Sequence, residues 1–247
     1  FTCQATDDNV TFSIGAYVIG SSTSTSGTVT PYSLYPDNED AADTWVAYSR
    51  SQDGLNWSDP MTLAATIDNG YCSSGGWWVA GDTLVGYINT WPSNISPRGG
   101  YTRYVTSTDG LNWSEPKPVL MDNGDTLKGI FEQDPHELPN GRIIGAAHFQ
   151  PGLLVSPVYT DDPSGVRGWT RANYTNLSVN NGLSREIEPS WFLRSDDTIV
   201  MTFRDQNSTF LRLASVSGDR GENWSTPVLN ITEYRTLSNP RAPLLLY

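Results

Sequence analysis

Ser51-Gln52-Asp53-Gly54-Leu55-Asn56-Trp57-Ser58-Asp59-Pro60 recurs almost unchanged as Ser107-Thr108-Asp109-Gly110-Leu111-Asn112-Trp113-Ser114-Glu115-Pro116. A third copy, Ser217-Gly218-Asp219-Arg220-Gly221-Glu222-Asn223-Trp224-Ser225-Thr226-Pro227, carries one more residue between its Asp and Gly. Between the second and third, Thr160-Asp161-Asp162-Pro163-Ser164-Gly165-Val166-Arg167-Gly168-Trp169 stands where a degenerate copy belongs. Each copy reads as a tight turn. Ser and Asp side chains bond backbone groups inside it, Gly supplies the unusual backbone angle, and Trp folds back as an apolar plug between neighbouring sheets.

The copies recur at intervals on the order of fifty residues, the length of one four-stranded blade of a β-propeller. The composition agrees. Only 17% of the 247 residues are charged, with 22 Gly, 16 Pro, 9 Trp and 12 Tyr, a profile of short strands joined by turns with almost no helix. The expected fold is all-β: a propeller of four-stranded antiparallel blades whose boxed turns join the third strand of a blade to its fourth. The whole chain, 1–247, reads as a single propeller domain. Its blades span about 10–66, 71–122, 130–175 and 185–231, and a further inner strand begins at 238–247. That last strand suggests part of a six- or seven-bladed propeller, completed by a partner chain or by self-assembly. A four-bladed ring closed by it is the alternative.

A formal charge of −12 argues against nucleic acid, since nothing here neutralises a row of phosphates. No window is long and apolar enough to span a membrane. Asn-x-Ser/Thr sequons at Asn9, Asn56, Asn94, Asn112, Asn173, Asn176, Asn207, Asn223 and Asn230 favour a secreted, extracellular glycoprotein. The two cysteines, Cys3 and Cys72, are then expected to form a disulfide, free thiols being the alternative. No ligand run specifies a metal or cofactor, although loop carboxylates leave room for structural calcium.

Topology sorts the polar residues. In each blade the first strand starts, and the second ends, at one face, while the boxes occupy the other. The first face receives Asn89 and Trp91 from blade two; Glu132, Asp134, His136, His148 and Gln150 from blade three; Arg185 and Arg204 from blade four; and Arg241 from the last strand. His136 and His148 are the only histidines, and both belong to the run from Phe131 to Gly152, which the Pro139-Asn140-Gly141 turn folds into a hairpin. The hairpin is expected to gather Glu132, Asp134 and His136 beside His148 and Gln150. Arginines and histidines at one rim suit an acidic polysaccharide or glycan, because a guanidinium grips a carboxylate with two hydrogen bonds.

The boxes resemble the Asp-box, or BNR, repeat of sialidase-like β-propellers. Glu132 to Arg142, Ala147-His148-Phe149, Arg185-Glu186-Ile187-Glu188-Pro189-Ser190 and Phe203-Arg204-Asp205 most resemble the secreted propeller lyases of the rhamnose–glucuronate and ulvan type. That resemblance implies β-elimination on a uronic acid, with His148 as base, His136 as acid or carboxylate ligand, and Arg185 and Arg204 gripping the carboxylate; Asn89, Trp91, Glu132, Asp134, Gln150 and Arg241 would line the substrate. Sialidase-like hydrolysis is the alternative. It uses a Tyr nucleophile activated by a Glu, an Asp acid/base and three arginines, and Arg185, Arg204 and Arg241 could supply that set. The chain departs from this pattern, since blade one holds no Arg-Ile-Pro motif. A third reading is a non-catalytic lectin-like or structural subunit.

Overall fold

The computed structural model describes residues 42–177, 181–207 and 212–230, together with the strand backbone at 17–19 and 27–34. Among these residues there is no helix. The chain lays down four antiparallel sheets in order. Blade one contains β1 (Tyr17–Ile19), β2 (Gly27–Leu34), β3 (Trp45–Ser51) and β4 (Met61–Ala64). Blade two contains β5 (Gly70–Ala80), β6 (Thr83–Pro92), β7 (Tyr101–Ser107) and β8 (Lys117–Pro118). In blade three the first strand is broken into β9 (Gly129–Phe131) and β10 (His136–Glu137), both paired with β11 (Ile143–Phe149), followed by β12 (Leu154–Thr160) and β13 (Thr170–Arg171). Blade four contains β14 (Glu186–Leu193), β15 (Ile199–Asp205), β16 (Arg212–Ser217) and β17 (Val228–Asn230). The architecture is the expected β-propeller.

The boxes lie where the repeat placed them, between the third and fourth strands. In box two the Asp109 carboxylate accepts the Leu111 and Asn112 amides, both at 2.8 Å, and Ser107 Oγ accepts the Gly110 amide at 2.8 Å. Gly110 takes φ +66°, which only glycine adopts without strain. Box three is degenerate in sequence yet makes the same kind of turn, with Ser164 N–H donating to Asp162 Oδ1 at 2.9 Å.

Each box Trp plugs the seam towards the preceding blade. Trp113 packs edge-on against Tyr48 of blade one, with ring centroids 5.5 Å apart. Trp169 lies fully buried with Val85 and Tyr87 of blade two. Trp224 joins Ile144 and Ala146 of blade three. No described blade precedes blade one, and its Trp57 is 40% exposed. Backbone bonds stitch the same seams: Trp169 N–H donates to Leu120 O and Trp224 N–H to Asn173 O, each box thereby adding to the outer edge of the blade before it.

This geometry also explains three sequons. Asn56, Asn112 and Asn223 each donate from Nδ2 to the box aspartate at 2.7 Å, and Ser58, Ser114 and Ser225 each accept a backbone amide of the preceding strand. The box therefore requires Asn and Ser two residues apart for its own bonding, whatever is attached to them. Asn173 and Asn176 also use their amides internally, on Asn223 Oδ1 and Val155 O. Asn94 and Asn207 are exposed in loops. Asn9 and the side chain of Asn230 lie outside the described residues.

Cys72 is a buried free thiol, 3.7 Å from Arg103 Nη2. Cys3, the partner expected for it, lies outside the described residues, as do Arg241 and the inner strand expected at 238–247.

The seams set the stability. Replacing Trp169 by Ala should cost about 3–5 kcal/mol, whereas Trp57→Ala should cost under about 1 kcal/mol. Urea denaturation of the two variants measures this, and equal losses would mean that the seams do not carry the fold.

Candidate active site

The inner strands do not run straight. In blade three, residues 132–135 bulge between the pairs Phe131↔Ala147 and His136↔Ile144, so four residues face the two at 145–146. Blade two has a smaller register shift between Ser74 and Trp77, and blade four one between Ile187 and Ser190. Pro135 and Pro189 suit these irregular positions, because a proline has no amide to give to a ladder. The bulges turn side chains out of the pleat, which re-aims them.

The blade-three bulge sends its two carboxylates in opposite directions. Asp134 Oδ1 accepts the Trp77 amide of blade two at 2.7 Å. The approach is close: a Cβ on Gly76 would sit 2.4 Å from that oxygen, so only glycine fits there. Glu132 Oε2 accepts the Glu188 amide of blade four at 3.1 Å and lies 3.0 Å from His148 Nε2. Glu188 takes φ +52°, a left-handed angle costly for a non-glycine residue. Its carboxylate meets Arg204 Nη2 at 3.1 Å.

Four side chains thus form one series, Arg204, Glu188, Glu132 and His148. The first three are partly open, with 31%, 26% and 28% of their side chains exposed, whereas His148 is at 1%. His148 Nδ1 lies 3.0 Å from the Leu153 carbonyl, which can only accept, so Nδ1 carries a proton. The Glu132 carboxylate lies 3.0 Å from Nε2 without hydrogen-bond alignment, and its charge favours the protonated ring. Burial pulls the His148 pKa down, but Glu132, aided by the Leu153 carbonyl and Glu188, outweighs it and the imidazole ends above its ordinary 6.5. Burial likewise opposes the Glu132 charge, yet His148, the Glu188 amide and Arg204 hold its carboxyl below the ordinary 4.5.

The remaining candidates fall elsewhere. Arg185 does grip a carboxylate with two 2.7 Å bonds, but that carboxylate is its neighbour Asp205. His136 stacks edge-on against Trp191 at 5.4 Å, paired with Ile144 four residues along β11 from His148, so the two histidines do not meet. The bulge separates them, which a straight hairpin would not. Asn89 is buried and bonds both the amide and the carbonyl of Phe131, at 3.1 and 2.6 Å, splicing blades two and three. Gln150 follows β11 and donates its amide to Lys128 O at 3.0 Å. Trp91 is 7% exposed, with Tyr71 and Arg98 against its ring, so it presents no open platform. Glu188 was expected on this face only as a possible partner of Arg185 and was given no role in the site; it meets Arg204 instead. Among the described residues no three His, Cys, Asp or Glu side chains converge to hold a metal ion.

The fold is an Asp-box β-propeller built like the sialidase and glycoside hydrolase propellers. The chain belongs to the BNR repeat-like domain family, whose model matches residues 36–246. No curated protein matches the sequence. Among solved structures, a protein of unknown function from Dyadobacter fermentans superposes with a TM-score of 0.66 at 16% identity, over 90% of this chain and 70% of that one. The intramolecular trans-sialidase of Ruminococcus gnavus, solved with oseltamivir carboxylate, gives 0.63 at 14% identity, over 92% and 72%. An α-L-arabinofuranosidase from Fusarium graminearum gives 0.58 at 14% identity, over 92% and 67%. Such distant likeness defines the fold. The nearness to propeller lyases expected from blades three and four is not shown by these likenesses.

The buried pair dictates a pH profile. His148, with its pKa raised, contributes fully below about 6.5 and loses that contribution as pH climbs through its folded value. Glu132, with its pKa lowered, contributes above about 4.5 and fails as pH falls through its folded value. The melting-temperature advantage of the wild type over His148→Gln should therefore peak between about 4.5 and 6.5 and shrink on both sides. A difference independent of pH would show that the pair is not ionised.

Proposed function

We propose that the chain is a sialidase-like glycoside hydrolase that acts on a carboxylated sugar within a glycan. The observation that carries this reading is the series Arg204–Glu188–Glu132, partly exposed at the inner strands and backed by a buried imidazolium. Arg204 meets Glu188 through Nη2 and keeps its Nε buried, while 31% of the side chain is exposed. The exposed part of the guanidinium suits a sugar carboxylate.

Hydrolysis at this site needs two carboxylates in different protonation states. Glu132, kept ionised by His148, takes the proton from the attacking water or faces the developing positive charge. When the sugar carboxylate draws Arg204 onto itself, Glu188 loses its cationic partner and its proton affinity rises. Glu188, having taken a proton from solvent, then protonates the leaving oxygen as the glycosidic C–O bond breaks, water supplies hydroxide to the anomeric carbon, and the water proton passes to Glu132, which returns it to solvent. His148 stays a positioning residue, since a fully buried imidazole meets no substrate.

The β-elimination reading requires a neutral, accessible base. His148 is buried and engaged at both nitrogens, and His136 lies apart beside Trp191. The hydrolase reading asks for neither. We place the protein outside the cell, where its glycan substrates are, with Asn94 as an exposed acceptor for its own glycosylation.

Fluorogenic sialosides and arabinofuranosides, run beside uronate polymers monitored for the unsaturated product of elimination, test the assignment. Release from a glycoside that falls about 100- to 10,000-fold in kcat in Glu188→Gln, and at least about 100-fold in kcat/KM in Arg204→Ala, is expected. An unsaturated uronate would move the assignment to a lyase, and silence on every substrate by a folded protein would move it to a binding role.

A further inference from the structure

A second feature on the same face is separate from the carboxylate series. The start of β5 and the loop after β6 enclose a cleft of about 460 Å3, lined by Tyr71, Trp91, Ile95 and Arg98 with Asn69 and Ser93 at its rim. Its wall is built as a stack. Trp91 and Tyr71 lie nearly parallel, 13° apart in plane with centroids at 5.8 Å, and the Arg98 guanidinium sits 4.5 Å from the indole centroid while donating to Tyr71 Oη. Trp91 Nε1 donates to Ser73 Oγ at 2.8 Å, which fixes the ring. The rim is fixed too, because Ser93 donates from both its amide and its hydroxyl to Asn69 O at 2.8 Å.

The cleft is continuous with the blade that carries Glu132. Tyr71 and Trp91 pack on Ile130, two residues before Glu132 in the same inner strand. Gly152 of blade three donates its amide to Arg98 O at 2.9 Å, and a Cβ on Gly99 would come within 2.5 Å of Gln150 Cβ. The Tyr71 and Trp91 ring faces are covered, so the cleft offers ring edges on its wall and amide, hydroxyl and guanidinium groups at its rim, which suit the hydroxyl-rich edge of a sugar. The volume falls in the range of small-molecule sites, about 300–1,000 Å3. Among the described residues lining it, Arg98 is the single charged side chain.

We infer that the Tyr71–Trp91–Arg98 cleft is a second sugar subsite, holding a pyranose residue of the same glycan chain whose carboxylated residue occupies the Arg204–Glu188–Glu132 site. The inference rests on the hydrolase reading for the neighbouring site, but its binding chemistry stands apart from turnover. It makes the preferred substrate an oligosaccharide rather than a single glycoside.

Arg98→Ala removes the rim donors, and Ser93→Trp fills the cleft from an exposed position; neither residue touches the carboxylate series. The probes are 3′-sialyllactose, an arabino-oligosaccharide and an oligogalacturonate, each beside its aryl monosaccharide. Binding is read by ligand-observed NMR in the Glu188→Gln background, and turnover in the parent protein. Both variants should weaken binding of an oligosaccharide about tenfold and raise its KM alike, with kcat and aryl-glycoside turnover unchanged. Unaltered oligosaccharide binding in both variants, at unchanged circular dichroism, overturns the inference, as does a wild type that binds none of the oligosaccharides. Arg98-dependent binding without turnover upholds the cleft and sinks the hydrolase reading. Turnover indifferent to both variants does the reverse.

Discussion

The carboxylates of the blade-three bulge hold the inner strands together. Asp134 reaches back to the Trp77 amide of blade two and Glu132 reaches forward to the Glu188 amide of blade four. Both amides sit at or beside a register shift of an inner strand, and an unpaired backbone group in the interior is costly. Carboxylates satisfy them with charge-assisted bonds. The same bulge that splices three blades therefore also installs the acidic groups of the site.

From this constraint the rest of the site follows. The Glu132 carboxyl is held below its ordinary pKa by His148 behind it, and the His148 imidazole is held above its own by the Glu132 carboxylate and the Leu153 carbonyl. Glu188 is held at a left-handed angle by the hydrogen bond its backbone amide donates to the Glu132 carboxylate, and its own carboxylate meets Arg204. Strain at Glu188 is offset by the bonds on either side, an arrangement in which a small change of charge is felt along the whole series.

The opposite face does mechanical work. The boxes combine a local turn, made inside one blade, with a tryptophan and a backbone bridge that belong to the seam with the blade before. Arg142 completes this at the seam between blades three and four, bonding Asp161 of box three and Glu222 of box four while its guanidinium lies 4.3 Å from the Tyr159 ring centroid. Stability and chemistry are thus kept on different faces, and the box asparagines and serines that read as sequons are bonding parts of the turns.

The blade repeat, the strand order and the sorting of residues between two faces were legible in the sequence, because each depends on local chemistry: a turn needs Ser, Asp and Gly at set positions, and an alternating strand follows from it. Tyr101–Ser107, for example, is a strand in both the reading and the structure. The partnership of side chains was not legible. Arg185 and Arg204 stand on the two strands at one rim of the same hairpin and look equivalent, yet one is consumed by Asp205 and the other faces Glu188. His136 and His148 look like a pair, yet the extra residues of the bulge send one to Trp191 and bury the other beneath Glu132. Such outcomes turn on which neighbouring blade a bulged residue faces, and that is decided only when the blades pack.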